Sequence, residues 1–518
     1  MNPLWELLEA TCERQPEACA VREGGASRWT YAEARRRAVA LAAHLRELGA
    51  VRDTRIALLA DNRAEVLVAS FAAARLGALL VPLNPRLASP ELAAILELAE
   101  CQVLLADGAH LATARALADR GPSPAGERAV LALEEELGKG PADGPPPAVD
   151  LPLDAPAQLY FTSGTTGQPK GVILTHGNIR SHALAAVEAL GLTDSDTWGH
   201  FAPMFHLADA WATFAVTAVA GAHAFLPRFE AAACLELCSR EGVTLTNLVP
   251  TMLQRVLAAV EDGAAAPQSL RLCLSGGAPI APAVVERILT TLGCAYRQTY
   301  GLTETSPYLT LSGLTAEEER LPLAQRALRL ARTGAAFPTV ELRVVDERNQ
   351  PVPADDRTVG EIVVRGPTVS PGYWRNPDAT AASRRGGWFR TGDLATVDAT
   401  GSVLIVDRLK DLILSGGENV YSIEVEAVLL AHAGVLECAV FALPHPDLGE
   451  CVAAAVVPRV GRTLERAELE EHCRARIAGY KLPRRLWLLA ELPRTGSGKI
   501  RKAALREQAA SGGLGPEA

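Results

Sequence analysis

Tyr31, Ala34, Ala38, Leu41, Leu45 and Leu48 recur at three- and four-residue intervals until Gly49 ends the run. That spacing lays one apolar stripe along a helix, so it predicts a helix over 31–48, opened by Thr30 and Glu33 as a capping box. Near-continuous apolar runs follow at Arg55–Asp61 and Ala78–Leu83, with a helical stretch over 62–76 between them. Strands apolar on both faces and alternating with helices belong to a parallel sheet covered on both sides. The Pro- and Gly-rich stretch Gly121–Pro156 is expected to be a surface excursion, not a domain boundary. From Leu159 to about 305 the alternation resumes, with strands expected at Val243–Val249 and Leu270–Leu274 and a second doubly wound layer.

Beyond 335 the pattern shortens to Val340–Val345, Gly360–Val364 and Val403–Val406, separated by Gly and Asp turns, which predicts a small β-rich subdomain. After Lys410 come a helix from near Ser422, a strand pair Glu437–Leu443 and Cys451–Val457, a helix over 464–477 and a strand over 485–490. The fold class is therefore expected to be α/β: a large N-terminal domain of two doubly wound α/β layers plus the β-rich subdomain, followed by a small α+β C-terminal domain. The last residues, SGGLGPEA, should fray. The longest apolar run, Ala210–Leu226, is short of a bilayer span and rich in Ala and Thr, so it reads as a buried core helix.

The 518 residues are 48% hydrophobic and 21% charged, the balance of a chain that folds almost throughout. A net charge of −9 with no basic arm argues against nucleic acid as a principal partner. Ten cysteines without a CxxC pair fit a reduced cytosol, and although Cys234 and Cys238 share a helix face, nothing completes a metal tetrad with them. Glu6, Glu9 and Glu13 occupy the place where a secretory leader carries its basic and apolar regions, so the expected location is cytoplasmic.

The chemistry gathers in short motifs. Tyr160-Phe-Thr-Ser-Gly-Thr-Thr-Gly-Gln-Pro-Lys170-Gly-Val172 puts four hydroxyls, three glycines and a lysine in a loop between two strand-like runs. Backbone N–H groups and hydroxyls there suit a polyphosphate, with Lys170 as a point charge. It is not the common P-loop, since no Gly-Lys-Ser/Thr ends it; Gly496-Ser-Gly-Lys499 fails the same test because Ile500 follows. Tyr300 offers an aromatic face, and Gly277 and Ala278 are small enough to let a ligand approach the backbone closely. Thr303 and Glu304 pair a hydroxyl with a hard carboxylate, suited to a phosphate oxygen and to Mg²⁺.

The loop at 160–172 is similar to the signature of the adenylate-forming acyl-CoA synthetase superfamily, which includes firefly luciferases and nonribosomal peptide adenylation domains. Seven further motifs agree in order: Pro203-Met-Phe-His206, Gly276-Gly-Ala-Pro279, Gln298-Thr-Tyr-Gly-Leu-Thr-Glu304, Trp388-Phe-Arg-Thr-Gly-Asp393, Asp407-Arg-Leu-Lys-Asp411, Gly416-Gly-Glu-Asn419 and Pro493-Arg-Thr-Gly-Ser-Gly-Lys499. Together they span almost the whole chain. The resemblance implies that ATP and Mg²⁺ convert a carboxylic acid to an acyl-AMP with release of pyrophosphate, and that CoA then takes the acyl group as a thioester. It implies a domain over 1–407, its β-rich part from about 335, then a hinge at 408–411 and a mobile domain over 412–518.

By the same resemblance, Thr162, Ser163, Gly164, Thr165, Thr166, Gly167, Lys170, Gly277, Ala278, Pro279, Tyr300, Gly301 and Thr303 contact ATP or AMP. Asp393 accepts from the ribose hydroxyls, Arg408 makes a second ribose or phosphate contact, and Glu304 is the metal ligand. Lys499 bridges the carboxylate and the α-phosphate during adenylation. Lys410 is the hinge about which the last domain rotates, withdrawing Lys499 and bringing in Gly416 and Gly417, whose missing side chains leave room for a pantetheine arm. A degenerate nucleotide sensor would lack Lys499, Glu304 or Asp393, and all three are present.

His206 stands where amino-acid-activating relatives place an Asp, and Asp209 is displaced from that position, so an acid without an α-amino group is favoured. His206 is a candidate gate for the carboxylate. Pro203–Trp211, Tyr300–Pro307 and the acidic-then-basic stretch 316–332 most resemble bacterial medium- and long-chain fatty acyl-CoA synthetases, with Trp211 and Gly301 in the acyl pocket. Trp211 lies one residue later than their gating aromatic. An aryl acid of benzoate or cinnamate type is the alternative, as is an adenylating enzyme with another acyl acceptor. The expected partners are a small carboxylic acid, no nucleic acid, no membrane span, and a homodimer by analogy with some fatty acyl relatives.

Overall fold

The structure, a computed structural model, describes residues 2–119, 128–136, 147–163, 169–459, 461–494 and 500–517. The chain divides into two compact units. The first is Met1–Leu342 with Val364–Arg390 and Thr400–Val403; the second is Arg343–Val363 with Thr391–Ala399 and Leu404–Ala518.

Two α/β sheets build the first unit, as the alternating pattern predicts. In the six-stranded sheet, Ala129–Ala132, Val103–Ala106, Arg55–Leu59, Leu79–Pro82 and Pro156–Ser163 lie side by side in parallel, and Pro169–Thr175 closes the edge antiparallel. Ala57, Leu59, Val81 and Leu104 pack against Leu92, Ile95 and Leu96 of the helix Ser89–Ala99, which fixes one covered face. The nine-stranded sheet has a parallel centre of Ala295–Gly301, Leu272–Ser275, Leu245–Asn247, Thr197–His200, Ala222–Phe225 and Cys19–Glu23. Tyr308–Leu311 then returns antiparallel on Ala295–Gly301.

The helix expected over 31–48 runs Tyr31–Glu47, after a shorter one at Trp5–Arg14, with both halves of the capping box made: the Glu33 N–H donates to Thr30 Oγ1 at 3.2 Å and the Thr30 N–H to Glu33 Oε2 at 2.8 Å. Two expectations are corrected. Ala210–Leu226 is not one helix: helices Leu207–Ala210 and Ala212–Ala218 give way at Ala220 (φ 62) to the strand Ala222–Phe225. Gly221 makes that turn possible, because a Cβ there would stand 2.9 Å from Val216 Cγ1. Nor is Gly121–Pro156 wholly a surface excursion, since Ala129–Ala132 extends the six-stranded sheet.

The three strands expected beyond 335 appear as Glu341–Val345, Gly360–Arg365 and Val403–Arg408, joined by Trp388–Val397, which the sequence pattern did not mark, and the chain passes from one unit to the other along them. The second unit ends in the expected α+β module. Val435–His445 and Gly449–Pro458 pair over their length, flanked by Ile413–Ser415 and Arg485–Leu488. Helices Ser422–Leu430 and Arg466–Arg474 pack their Val425, Leu429, Leu469 and Cys473 on one face of this sheet, and Leu505 and Ala509 of Lys502–Ser511 cover the other. Among the described residues no helix is long and apolar enough to cross a membrane.

Candidate active site

The signature loop is the tip of the hairpin Pro156–Ser163/Pro169–Thr175, in register Thr162 with Lys170. Gly164, Thr165, Thr166 and Gly167 lie outside the described residues, as does the Ser163 side chain. Below the tip, Gly171 lies against the outer edge of the Phe161 ring, where a Cβ would come 2.9 Å from Cζ. The segment Ser370–Trp374 docks on the outer arm: the Ile173 N–H donates to Gly372 O and the Trp374 N–H to Gly171 O.

This docking brings in a residue the sequence reading missed. Tyr373 places its ring 5.6 Å under Lys170 Nζ and donates its phenol to Glu304 Oε1 at 2.8 Å. Burial and the Glu304 charge raise the Tyr373 phenol pKa, so the proton stays on it. Glu304 lies in the one-turn helix Thr303–Thr305, anchored by the Ser370 N–H on its carbonyl at 2.8 Å. The half-buried carboxylate, oriented through one oxygen, is a hard oxygen donor of the kind Mg²⁺ takes. The available signal was Gly372-Tyr373-Trp374, an aromatic pair in a turn between Pro371 and Pro377.

Gly277, Ala278 and Pro279 are exposed just past the C-terminal end of Leu272–Ser275, and Tyr300 is the last residue but one of the neighbouring parallel strand, with Ser275 in register with Gln298. Ligands of doubly wound sheets sit at such strand ends. The Gln298 amide holds the turn through Ala278 O at 3.0 Å. Gly276 is required because a Cβ would lie 2.4 Å from Thr299 Oγ1, and Gly277 because its φ is 82°. Gly301 has a packing reason of its own: a Cβ would run into the Pro307 carbonyl at 1.8 Å.

His206 caps the short helix Leu207–Ala210 and stacks obliquely on Phe205, centroids 4.6 Å apart. Asp209 is fully buried and committed elsewhere: its Oδ2 lies 2.6 Å from His200 Nδ1 and its Oδ1 accepts the Trp198 indole N–H at 3.2 Å. The chain continues from His200 Nε2 to His223 Nδ1 at 3.0 Å. Asp209 is thus not placed to meet an ammonium group. Trp211 is buried, its indole donating to Ala208 O at 3.1 Å and its ring edge-on to His182, Trp198 and Tyr308.

In the second unit, buried Asp393 lies 3.2 Å from the Arg408 guanidinium. The turn before it is held by Thr391 Oγ1, which donates to Ile362 O at 2.8 Å and accepts from the Asp393 N–H at 3.1 Å. Lys410 sits in the one-turn helix Leu409–Asp411. On one side of it Asp407 accepts from Ser422 Oγ at 3.0 Å, and Lys502 Nζ reaches Ser422 Oγ and Glu426 Oε1, each at 2.7 Å. Gly416 and Gly417, with φ of 60° and 85°, form the two-residue turn joining Ile413–Ser415 to Glu418–Val420, the conformation that favours Gly in tight hairpins. Lys499 lies outside the described residues.

The fold and these motifs are those of an adenylate-forming enzyme. Residues 8–374 match the AMP-binding enzyme family and 424–499 its AMP-binding enzyme C-terminal domain, so the chain belongs to that family. It is 39% identical to a feruloyl-CoA synthase of Amycolatopsis sp over 97% of this chain and 98% of that protein. It is also 39% identical to a long-chain-fatty-acid–CoA ligase of Thermus thermophilus, over 98% of this chain and 95% of the other. Among solved structures, the o-succinylbenzoate CoA synthetase of Bacillus subtilis in complex with ATP and magnesium ion superposes with a TM-score of 0.84 at 30% identity, covering 97% of this chain and 98% of that one.

Proposed function

We propose that the chain is an AMP-forming carboxylic acid–CoA ligase in which Glu304, Tyr373 and Lys170 receive the phosphate end of ATP. The observation that carries this reading is the Tyr373 phenol on Glu304 Oε1 at 2.8 Å with Lys170 5.6 Å over the same ring, one cation and one oriented carboxylate on a shared aromatic. Glu304 would hold Mg²⁺, which neutralises charge on the departing pyrophosphate. The residues of the signature loop donate to the phosphates, Tyr300 stacks on adenine over Gly277 and Ala278, and Asp393, kept in place by Arg408, accepts from the ribose hydroxyls.

An acid is a poor acyl donor because its leaving group would be oxide. In the first step a carboxylate oxygen attacks the α-phosphorus and the bond to the β-phosphate oxygen breaks, so pyrophosphate leaves and acyl-AMP remains. Lys499 stabilises the charge that gathers there, and His206 stands at the carboxylate entrance. In the second step the thiol of CoA, having lost its proton to solvent, attacks the acyl carbon and AMP leaves. Rotation about Lys410 exchanges Lys499 for the Gly416–Gly417 turn between the two steps.

Of the two acid classes the motifs suggest, a medium- or long-chain fatty acid is the reading from sequence alone. The aryl reading gains from the wall around Trp211, where His182, Tyr308 and Phe337 complete a set of rings. A feruloyl-CoA synthase and a long-chain-fatty-acid–CoA ligase at equal identity are compatible with either. The test is acid-dependent exchange of labelled pyrophosphate into ATP, then CoA-dependent release of AMP. Asp393→Ala should raise the KM for ATP by about tenfold, the effect of one charged hydrogen-bond acceptor.

A further inference from the structure

We propose that His182 and Tyr308 form the polar end of the acyl site and select an aryl acid bearing a ring hydroxyl over an alkanoic acid. The inference rests on the ligase reading and narrows its substrate. His182, on the helix His176–Leu190, is 1% exposed, and Tyr308 is 2% exposed. The His182 ring stacks on Phe337 with centroids 5.2 Å apart and meets Trp211 and Tyr308 edge-on at 5.3 Å and 5.1 Å. Trp211 and Tyr308 are themselves 5.2 Å apart. Four side chains from separate elements thus face one another in a closed aromatic group.

Three polar atoms inside that group have no hydrogen-bond partner: Nδ1 and Nε2 of His182 and the phenol oxygen of Tyr308. Trp211 and Thr299 are the polar neighbours nearest the Tyr308 phenol and offset part of the rise that burial gives its pKa, but the Trp211 indole N–H is already given to Ala208 O and the Thr299 hydroxyl to Ser275 O. Buried polar groups are nearly always paired, and three unpaired ones in a single patch point to a partner that arrives with the substrate. Burial lowers the His182 pKa to about 3, so the ring stays neutral and offers one N–H donor and one acceptor.

A phenolic hydroxyl both donates and accepts, which complements a neutral imidazole and a phenol together. The flat ring that carries it replaces the ring contacts it displaces with equivalent edge and face contacts. A methylene chain leaves all three atoms unpaired. The location fits the acid's path: Tyr308 pairs with Gly301 in the strand register beside Thr303 and Glu304, and Trp211 follows His206 by five residues.

The experiment is pyrophosphate exchange by the full chain with 4-hydroxycinnamate, cinnamate and decanoate, in the wild type, His182→Phe and Tyr308→Phe. The wild type is expected to favour 4-hydroxycinnamate over each of the other two by about 30-fold or more in kcat/KM, chiefly through KM, because unpaired site groups reject the analogue that lacks the hydroxyl. In each variant the ratio of the two cinnamates should fall to about threefold or less. Each ratio is internal to one protein, so partial misfolding lowers both acids together and does not imitate the effect. If neither variant folds, the wild-type ratios decide. A wild type that prefers decanoate or treats the cinnamates alike, or variants that both keep the ratio, overturns the assignment while leaving the ligase reading standing. Exchange with no acid removes the ligase reading and this inference with it.

Discussion

The Tyr373 phenol donates to Glu304 Oε1 at 2.8 Å across 69 residues of sequence, and the same ring lies beneath Lys170. Tyr373 touches the proposed metal ligand and leaves its second oxygen outside that bond. A hydrogen bond to a charged group is worth about 1.5–3 kcal/mol, so Tyr373→Phe should raise the Mg²⁺ concentration for half-maximal adenylation by roughly tenfold or more. Glu304→Gln should lose adenylation at every Mg²⁺ concentration. A Mg²⁺ titration of pyrophosphate release checks both, and an unchanged midpoint in Tyr373→Phe argues against the positioning role.

The hinge reading separates the two half-reactions. Proline at 410 fixes φ in the one-turn helix Leu409–Asp411, so Lys410→Pro should slow thioester formation on the order of tenfold or more while acyl-AMP formation changes little. Single-turnover assays with and without CoA read the two steps. Equal loss in both tells against rotation at this residue.

Two glycines test whether shape or chemistry holds them. Gly301→Ala drives a methyl into the Pro307 carbonyl and should cost about 3 kcal/mol or more, seen as a lower unfolding midpoint. Gly417, at φ 85° with nothing within 4 Å of a built Cβ, accepts Asn at little cost in stability. If Gly417→Asn keeps its midpoint yet loses thioester formation, clearance for the acceptor arm is its function; unchanged activity leaves only the turn.

His182 also sets an acid limit. Burial holds its folded pKa at about 3, below the ordinary imidazole value of about 6.5, so the unfolded chain binds a proton that the folded chain refuses, and stability falls as pH drops from 6.5 toward 3. The loss approaches about 1.4 kcal/mol per pH unit from this one residue. His182→Phe should therefore flatten the decline in unfolding midpoint between pH 6.5 and 4 relative to the wild type. Parallel curves contradict a neutral, buried His182.

The regular elements were legible where periodicity and caps agree: Thr30 and Glu33 announce the helix Tyr31–Glu47, and the doubly apolar Arg55–Leu59 and Leu79–Pro82 announce a parallel sheet. Ala210–Leu226 misled because a run buried on all sides carries no period, so a helix and a strand look alike in it. The motif residues could be named from sequence because each motif is a short local run. Tyr373 could not, since its role depends on a loop folding onto a distant hairpin. His182 was hidden for the same reason: its ring partners Trp211, Tyr308 and Phe337 come from three other segments. Asp209 showed the converse, a carboxylate beside a motif that the core had already claimed through His200 and Trp198.

The central claim is that this chain activates a carboxylic acid as its adenylate. The most direct measurement is transfer of labelled pyrophosphate into ATP by the purified full chain with Mg²⁺, across aryl and alkanoic acids, before any CoA is added. The account predicts label in ATP that depends on both acid and Mg²⁺ and is lost in Lys499→Ala. Label that never enters ATP with any acid, or that enters equally without one, contradicts it.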